Sequence, residues 1–222
     1  MTPPKAVLSW SSGKDCAFAL IEARRLGLAD VVAVLTTTNA AADRVAMHGT
    51  RNALLARQVA ALGLPLIEVP LPWPCSNADY AARMTEAMAR VRATGATDMV
   101  FGDLFLEDLR AWREAQLAPL GIGGIFPIWG RPTDALAREM IAAGIEARLV
   151  TVDPAQLDPA FCGRAFDTRL LADLPATVDP CGENGEFHTA VTAGPMFAAP
   201  IPVEVGETVT RDGFAYTDLV PL

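Results

Sequence analysis

Two stretches of this 222-residue chain gather residue types whose spacing could do chemistry. The first is Val7-Leu8-Ser9-Trp10-Ser11-Ser12-Gly13-Lys14-Asp15-Cys16, an apolar run that ends in small polar residues and a glycine. Apolar residues then recur at Ala17, Leu20, Ile21 and Ala23, the spacing of one helix face. A strand that turns through Ser-Ser-Gly into a helix aims several backbone N–H groups, and the positive helix end, at one point. Such a point suits a phosphate. The second stretch is Asp179-Pro180-Cys181-Gly182-Glu183-Asn184-Gly185-Glu186-Phe187-His188-Thr189. Polar groups this dense, divided by two glycines, argue against a core strand. A surface turn around Asn184-Gly185 is the plain alternative. Glu183, Glu186, His188 and Thr189 could instead give acceptors and a proton carrier to one pocket.

The first stretch fails two familiar phosphate motifs. A Walker loop needs Gly-x-x-x-x-Gly-Lys and then Ser or Thr to hold magnesium. Here Asp15 follows Gly13-Lys14, and Ser9 stands where the first glycine belongs. The dinucleotide pattern Gly-x-Gly-x-x-Gly lacks its glycines as well.

The elements that must position these stretches follow from the periodicity. Residues 5–10 read as a buried strand, and residues 14–26 as a helix stopped by Gly27. Residues 31–37 are β-branched and apolar, a second buried strand. Its end places Thr36 and Thr37 where open parallel sheets bind ligands, so their hydroxyls either contact a nucleotide or only satisfy a loop. Residues 50–62 read as a helix preceded by Met47-His48-Gly49, with His48 as a surface or capping residue. Residues 66–69 form a strand, broken by the prolines that follow. A helix spans residues 78–93, with Tyr80, Met84 and Met88 as core.

Residues 98–101 form another strand, with Gly102-Asp103 at its mouth, and residues 104–117 a helix turning Phe105, Leu109 and Trp112 inward. Arg113 falls on its solvated face. Asp103, at a strand mouth, could hold magnesium or a substrate amine. A glycine-rich loop over residues 120–129 feeds a short strand, a helix covers residues 133–143, and residues 147–152 add a strand. This alternation predicts an α/β fold, a Rossmann-like doubly wound parallel sheet. A smaller C-terminal region follows, with a hairpin at Arg211-Asp212-Gly213. We divide the chain into a nucleotide-binding domain at 1–132 and a substrate-binding region at 133–222.

Composition narrows the function classes. At 51% hydrophobic and 20% charged residues the chain is globular rather than disordered. No apolar stretch approaches the roughly 18–20 residues of a membrane span, and the N-terminus lacks a signal pattern, which predicts a cytoplasmic protein and no membrane partner. The net charge of −8 disfavours nucleic acid. Cys16, Cys75, Cys162 and Cys181 lie far apart with only two histidines, which argues against zinc and for reduced thiols.

Ser11-Ser12-Gly13-Lys14-Asp15-Cys16 resembles the PP-loop Ser-Gly-Gly-x-Asp-Ser of the ATP pyrophosphatases, with Ser12 for the first glycine and Cys16 for the last serine. Residues 182–189 look like the hallmark segment of the diphthine–ammonia ligase family within that superfamily. Gly102-Asp103 with the helix after it, and Pro127-Ile128-Trp129, are similar to two further segments of that family, in the same order. The alanine- and arginine-rich composition suggests a bacterial member.

The resemblance implies an adenine nucleotide alpha hydrolase-like fold and a reaction. ATP adenylates a carboxylate, pyrophosphate leaves, and ammonia forms the amide. In eukaryotic and archaeal members that carboxylate is diphthine on elongation factor two. The residues expected at ATP are Ser9, Ser11, Ser12, Gly13, Lys14, Asp15 and Cys16, with Lys14 neutralising the leaving group. Asp15 and Asp103 are expected at Mg2+. Gly182, Glu183, Asn184, Gly185, Glu186 and Thr189 are expected at the acceptor. Glu183, Glu186 and His188 join Lys14 and Asp103 as catalytic candidates. The acceptor itself stays unidentified, and a homodimer is a possible state. Three rivals stay open: a tRNA-modifying PP-loop enzyme, a small-molecule amide ligase and a non-catalytic ATP-binding regulator.

Overall fold

The computed structural model describes residues 2–222. Strand β1 (Lys5–Ser9) leads into helix α1 (Lys14–Arg25), and β2 (Asp30–Asn39) and the two-residue β3 (Arg44–Val45) follow. Then come α2 (Asn52–Leu62), β4 (Leu66–Leu71), α3 (Asn77–Ala93), β5 (Asp98–Val100), α4 (Glu107–Leu117) and β6 (Gly123–Ile125). The remainder is α5 (Thr133–Ala142), β7 (Glu146–Val152), α6 (Thr168–Asp173), β8 (Phe187–Ala193), β9 (Val203–Arg211) and β10 (Phe214–Pro221).

The first sheet runs β4-β2-β1-β5-β6, all parallel, with β3 antiparallel to β2 past the end of β1. β1 lies centrally, and Ala6, Val7 and Leu8 are buried on both faces, as a sheet covered on two sides demands. Ala6 and Leu8 face a core shared with α1 and α2, whereas Val7 faces a second core with α3 and Leu117 of α4. This is the doubly wound arrangement that the periodicity predicts. Its topological switch point lies between β1 and β5, so a crevice opens where Ser9 and Phe101 leave the sheet.

The second sheet is antiparallel, in the order β8-β7-β10-β9. The hairpin turn between β9 and β10 has Asp212 at φ 51° and Gly213 at φ 85°, the paired positive angles of a type I′ turn. One core cluster joins both sheets: Leu8 and Trp10 of the first, Phe187, Val191 and Ala215 of the second, and Phe18 and Leu20 of α1 between them. Among the described residues no helix is long and apolar enough to cross a membrane.

Three local expectations are corrected. Residues 147–152 belong to the antiparallel sheet, between β8 and β10, rather than to the parallel one. The run is apolar on both faces, which suits the middle of either kind of sheet, so periodicity leaves its partners open. Pro70 continues β4 opposite Thr38, because β4 is the edge strand and a missing N–H there costs no ladder bond. Residues 104–106 stay outside α4, since the Leu104 N–H donates to Glu183 and its carbonyl accepts from Gly130. Phe105 therefore precedes the helix, and Phe105 and Trp112 are exposed rather than inward.

Candidate active site

The turn after β1 is held from three sides. Trp10 donates through its indole N–H to Gln58 Oε1 at 3.1 Å, and Gln58 Nε2 donates to the carbonyls of Ser12 (3.2 Å) and Val191 (2.8 Å). The Val191 N–H in turn donates to the Ser12 carbonyl at 2.9 Å. Gly13 sits at the N-cap of α1 without a capping side chain of its own, and Thr189 Oγ1 accepts from the Lys14 N–H at 3.1 Å instead. Strand β8 thus caps a helix 175 positions earlier in the chain. Backbone approach is tight at Gly13 and prohibitive for a side chain at Gly102. A Cβ on Gly13 would stand 3.3 Å from the Thr189 carbonyl oxygen, and one on Gly102 would press to 2.7 Å from Cys16 N.

Ser12 carries both anomalies of the turn. Its φ is 73°, the left-handed region where the PP-loop pattern has glycine, and its buried hydroxyl has no partner. A serine held there costs on the order of 1–2 kcal/mol.

Above the turn lies an open cavity of about 220 Å³ at the switch point. Of the expected residues it collects Ser9, Ser11, Asp15, Cys16 and Asp103 from the first sheet. From the second region it collects Gly182, Glu183, Gly185, His188 and Thr189. The remaining seven expected residues do not line it. Thr36, within β2, donates to the Trp10 carbonyl at 2.7 Å and so satisfies the loop after β1; Thr37 also lies outside. Ser12, Gly13 and the solvent-exposed Asn184 are also absent from its lining.

Glu186 is buried at 2% exposure. Its carboxylate accepts from Asp179 N (2.9 Å), Asn184 N (3.0 Å) and Asn184 Nδ2 (3.0 Å), so it shapes the segment instead of facing the cavity.

Lys14 is the largest departure. Its side chain is buried, with the ammonium 5.2 Å from the Phe166 ring centre and 5.4 Å from that of Phe187. It donates to both Asp15 oxygens at 3.0 Å and to the Cys181 carbonyl. Burial opposes its charge, but the Asp15 carboxylate more than offsets this and the pKa is raised. The ammonium binds the two regions together and stays outside the cavity.

The groups that do face the cavity are tuned by it. Burial, with the charges of Asp15 and Asp103, pushes Glu183 up to about 7, although the Leu104 N–H donates to its Oε1 at 2.7 Å. Burial holds His188 down to about 4, with the Lys14 charge adding to the effect. Burial lifts the Cys16 thiol to about 11, so at neutral pH it is an uncharged donor, to the Gly13 carbonyl at 3.0 Å. Among the described residues no three His, Cys, Asp or Glu side chains form a metal-ligand group.

Two cavity residues escaped the sequence reading. His48 packs its ring 4.4 Å from that of His188, and burial followed by the His188 charge holds its pKa well below the usual range. Its Nδ1 is buried and unpartnered. Thr151 Oγ1 donates to the His48 carbonyl at 2.9 Å and anchors that turn to β7. Arg113 also lines the cavity, donating to Asp103 through Nε at 2.6 Å and Nη2 at 3.1 Å. Neither had a local signal beyond the tight Met47-His48-Gly49 turn and the charged pattern of α4.

Residues 132–218 match the family model described as the diphthamide synthase C-terminal domain. The chain is 32% identical over 100 residues to diphthine–ammonia ligases of Rattus norvegicus and Homo sapiens. Those matches cover 43% of this chain and 38% of each relative, so the alignment spans well under half of their length. It is 25% identical over 226 residues to the diphthine–ammonia ligase of Danio rerio, covering 93% of this chain and 89% of that relative.

Proposed function

We propose that this chain, similar to diphthine–ammonia ligases over most of its length and to the diphthamide synthase C-terminal domain over residues 132–218, is a member of that family and an ATP-dependent ligase that activates a carboxylate as its adenylate and amidates it with ammonia. One observation carries the reading. The start of α1 at the switch point and the acidic segment leading into β8 line the same cavity, which supports a phosphate site and a proton acceptor sharing one space. The orphan N–H groups of the first turn of α1, at Asp15 and Cys16, suit the departing pyrophosphate, with the Ser9 and Ser11 hydroxyls beside them.

Lys14 acts in this scheme by holding Asp15. Magnesium, where it accompanies the nucleotide, would have Asp15 and Asp103 as carboxylate ligands and would offset phosphate charge. Both oxygens of each already accept from a cation, yet each keeps further lone pairs.

Ammonium must lose a proton before its nitrogen can attack the acyl carbon. Glu183, poised near neutrality, is the base we assign to that proton. The nitrogen lone pair then forms the C–N bond, the acyl–phosphate C–O bond breaks, and AMP leaves. His188 and Thr189 stand on the acceptor side, with Gly182 and Gly185 letting the backbone approach. Glu186 and Asn184 shape that side without lining the cavity.

Diphthine, the acceptor in the relatives' name, is the first carboxylate to test. The experiment is ATP–pyrophosphate exchange against a panel of carboxylates, followed by amide analysis with ammonium. Carboxylate-dependent exchange and an ammonium-dependent amide are expected. ATP binding with no exchange for any carboxylate would leave a nucleotide-binding protein instead.

A further inference from the structure

The cavity's own charges leave one role unfilled. Asp15, Asp103 and Glu183 line it, and its two imidazoles are held in the neutral form. A nucleotide carrying several negative charges cannot enter such a space without a cation. The lysine of the loop does not supply one, because its ammonium lies under Phe166 and Phe187. Among the described residues Arg113 is the one Lys or Arg side chain that lines the cavity.

Its geometry fits a phosphate ligand. The guanidinium lies over the Phe101 ring, 4.6 Å from the centre, which fixes its plane. Asp103 occupies Nε and one hydrogen of Nη2, so Nη1 and the second Nη2 hydrogen remain as donors toward an incoming anion. The arginine side chain is 24% exposed and the aspartate 11%, so an anion reaches the guanidinium more readily than a cation reaches the carboxylate.

We propose that Arg113 is the phosphate-binding cation of this cavity, and that an entering nucleotide draws the guanidinium away from Asp103. The inference rests on the ATP reading above and adds the residue that makes it electrostatically workable. Before nucleotide arrives, arginine and aspartate neutralise each other. Afterwards the phosphate takes the arginine, and Asp103 is free to meet a cation that travels with the phosphates.

Direct calorimetric binding of inorganic pyrophosphate, and of ATP with magnesium, tests this without any acceptor. Arg113→Gln should bind both roughly 30-fold more weakly at fixed salt, the scale of losing a hydrogen-bonded charge partner. Arg113→Lys keeps the charge but not the fork and should fall between. Arg110→Gln, on the same helix but paired with Glu114 outside the cavity, should match wild type. Asp103→Asn removes the competing carboxylate, so it should tighten metal-free pyrophosphate binding several-fold.

Wild-type affinity in folded Arg113→Gln overturns the assignment, as does weaker metal-free binding in Asp103→Asn. If Arg113→Gln does not fold, Arg113→Lys decides, and wild-type affinity there likewise overturns it. Failure of the wild-type protein to bind either ligand removes the ATP reading together with this one.

Discussion

The two stretches that meet at the cavity are built in opposite ways. In the loop over residues 11–16 the helix start opens on the cavity while the ammonium of Lys14 turns into the core. In the segment over residues 179–189 the backbone is folded by its own carboxylates, Asp179 and Glu186, and other side chains line the cavity. Thr189 joins the halves by capping α1. The contrast separates a residue that marks a motif from one that performs its chemistry. Lys14 and Glu186 belong to recognisable patterns, yet both act by holding something else in place.

The largest expected effect would break the first half of this contrast. Lys14→Ala leaves Asp15 with an uncompensated charge and the Cys181 carbonyl without its donor. It should cost about 3–5 kcal/mol of stability in denaturant titrations. A loss below about 1 kcal/mol, with pyrophosphate release abolished, would return Lys14 to the leaving group.

Glu183→Gln tests the second half. Amide formation should drop by on the order of 10²-fold or more, while ATP binding stays within about twofold. The wild-type rate should rise with pH through about 7, and the variant's should not. Stability should move the opposite way. A carboxyl with a raised pKa takes up a proton on folding, so the wild type loses stability as pH climbs from its ordinary range through about 7. Near pH 8 the variant should therefore gain roughly 2 kcal/mol, a gain that vanishes near pH 4. A flat difference between those limits would remove Glu183 as the titrating group.

Glu186→Gln probes the support beneath it. Loss of charge-assisted bonds to Asp179 and Asn184 should cost about 1.5–3 kcal/mol and weaken acceptor use more than ATP binding. Full stability with no turnover would instead give Glu186 a direct role. The smallest effect runs the other way. Ser12→Gly relieves a positive φ and a buried unpaired hydroxyl, against the entropy of a freer unfolded chain. A net gain of about 1 kcal/mol is expected in thermal melts, and a loss would mean that the hydroxyl has a partner in solution.

Much of this molecule is legible from local pattern. The β1–turn–α1 unit, the mouth at Gly102-Asp103, the helix stops at Gly27 and Gly63 and the type I′ hairpin all follow from neighbouring residues, because each depends on short-range sterics and hydrogen bonding. The approach of residues 182–189 to the loop follows from family resemblance and not from any local rule.

What the sequence by itself determined is which turn opens the first helix at the switch point and which acidic segment could meet it. Only the tertiary structure decided where the charges point. Lys14 turns inward because Phe166, Phe187 and the Cys181 carbonyl from distant parts of the chain cover the far side of α1. Arg113 turns toward the cavity because Glu183 and Gly130 hold Leu104 outside the helix, and His48 reaches it because β7 and β8 meet its turn. A long side chain takes the direction in which its charge finds a partner, and in this fold those partners lie on other elements, out of reach of any local pattern.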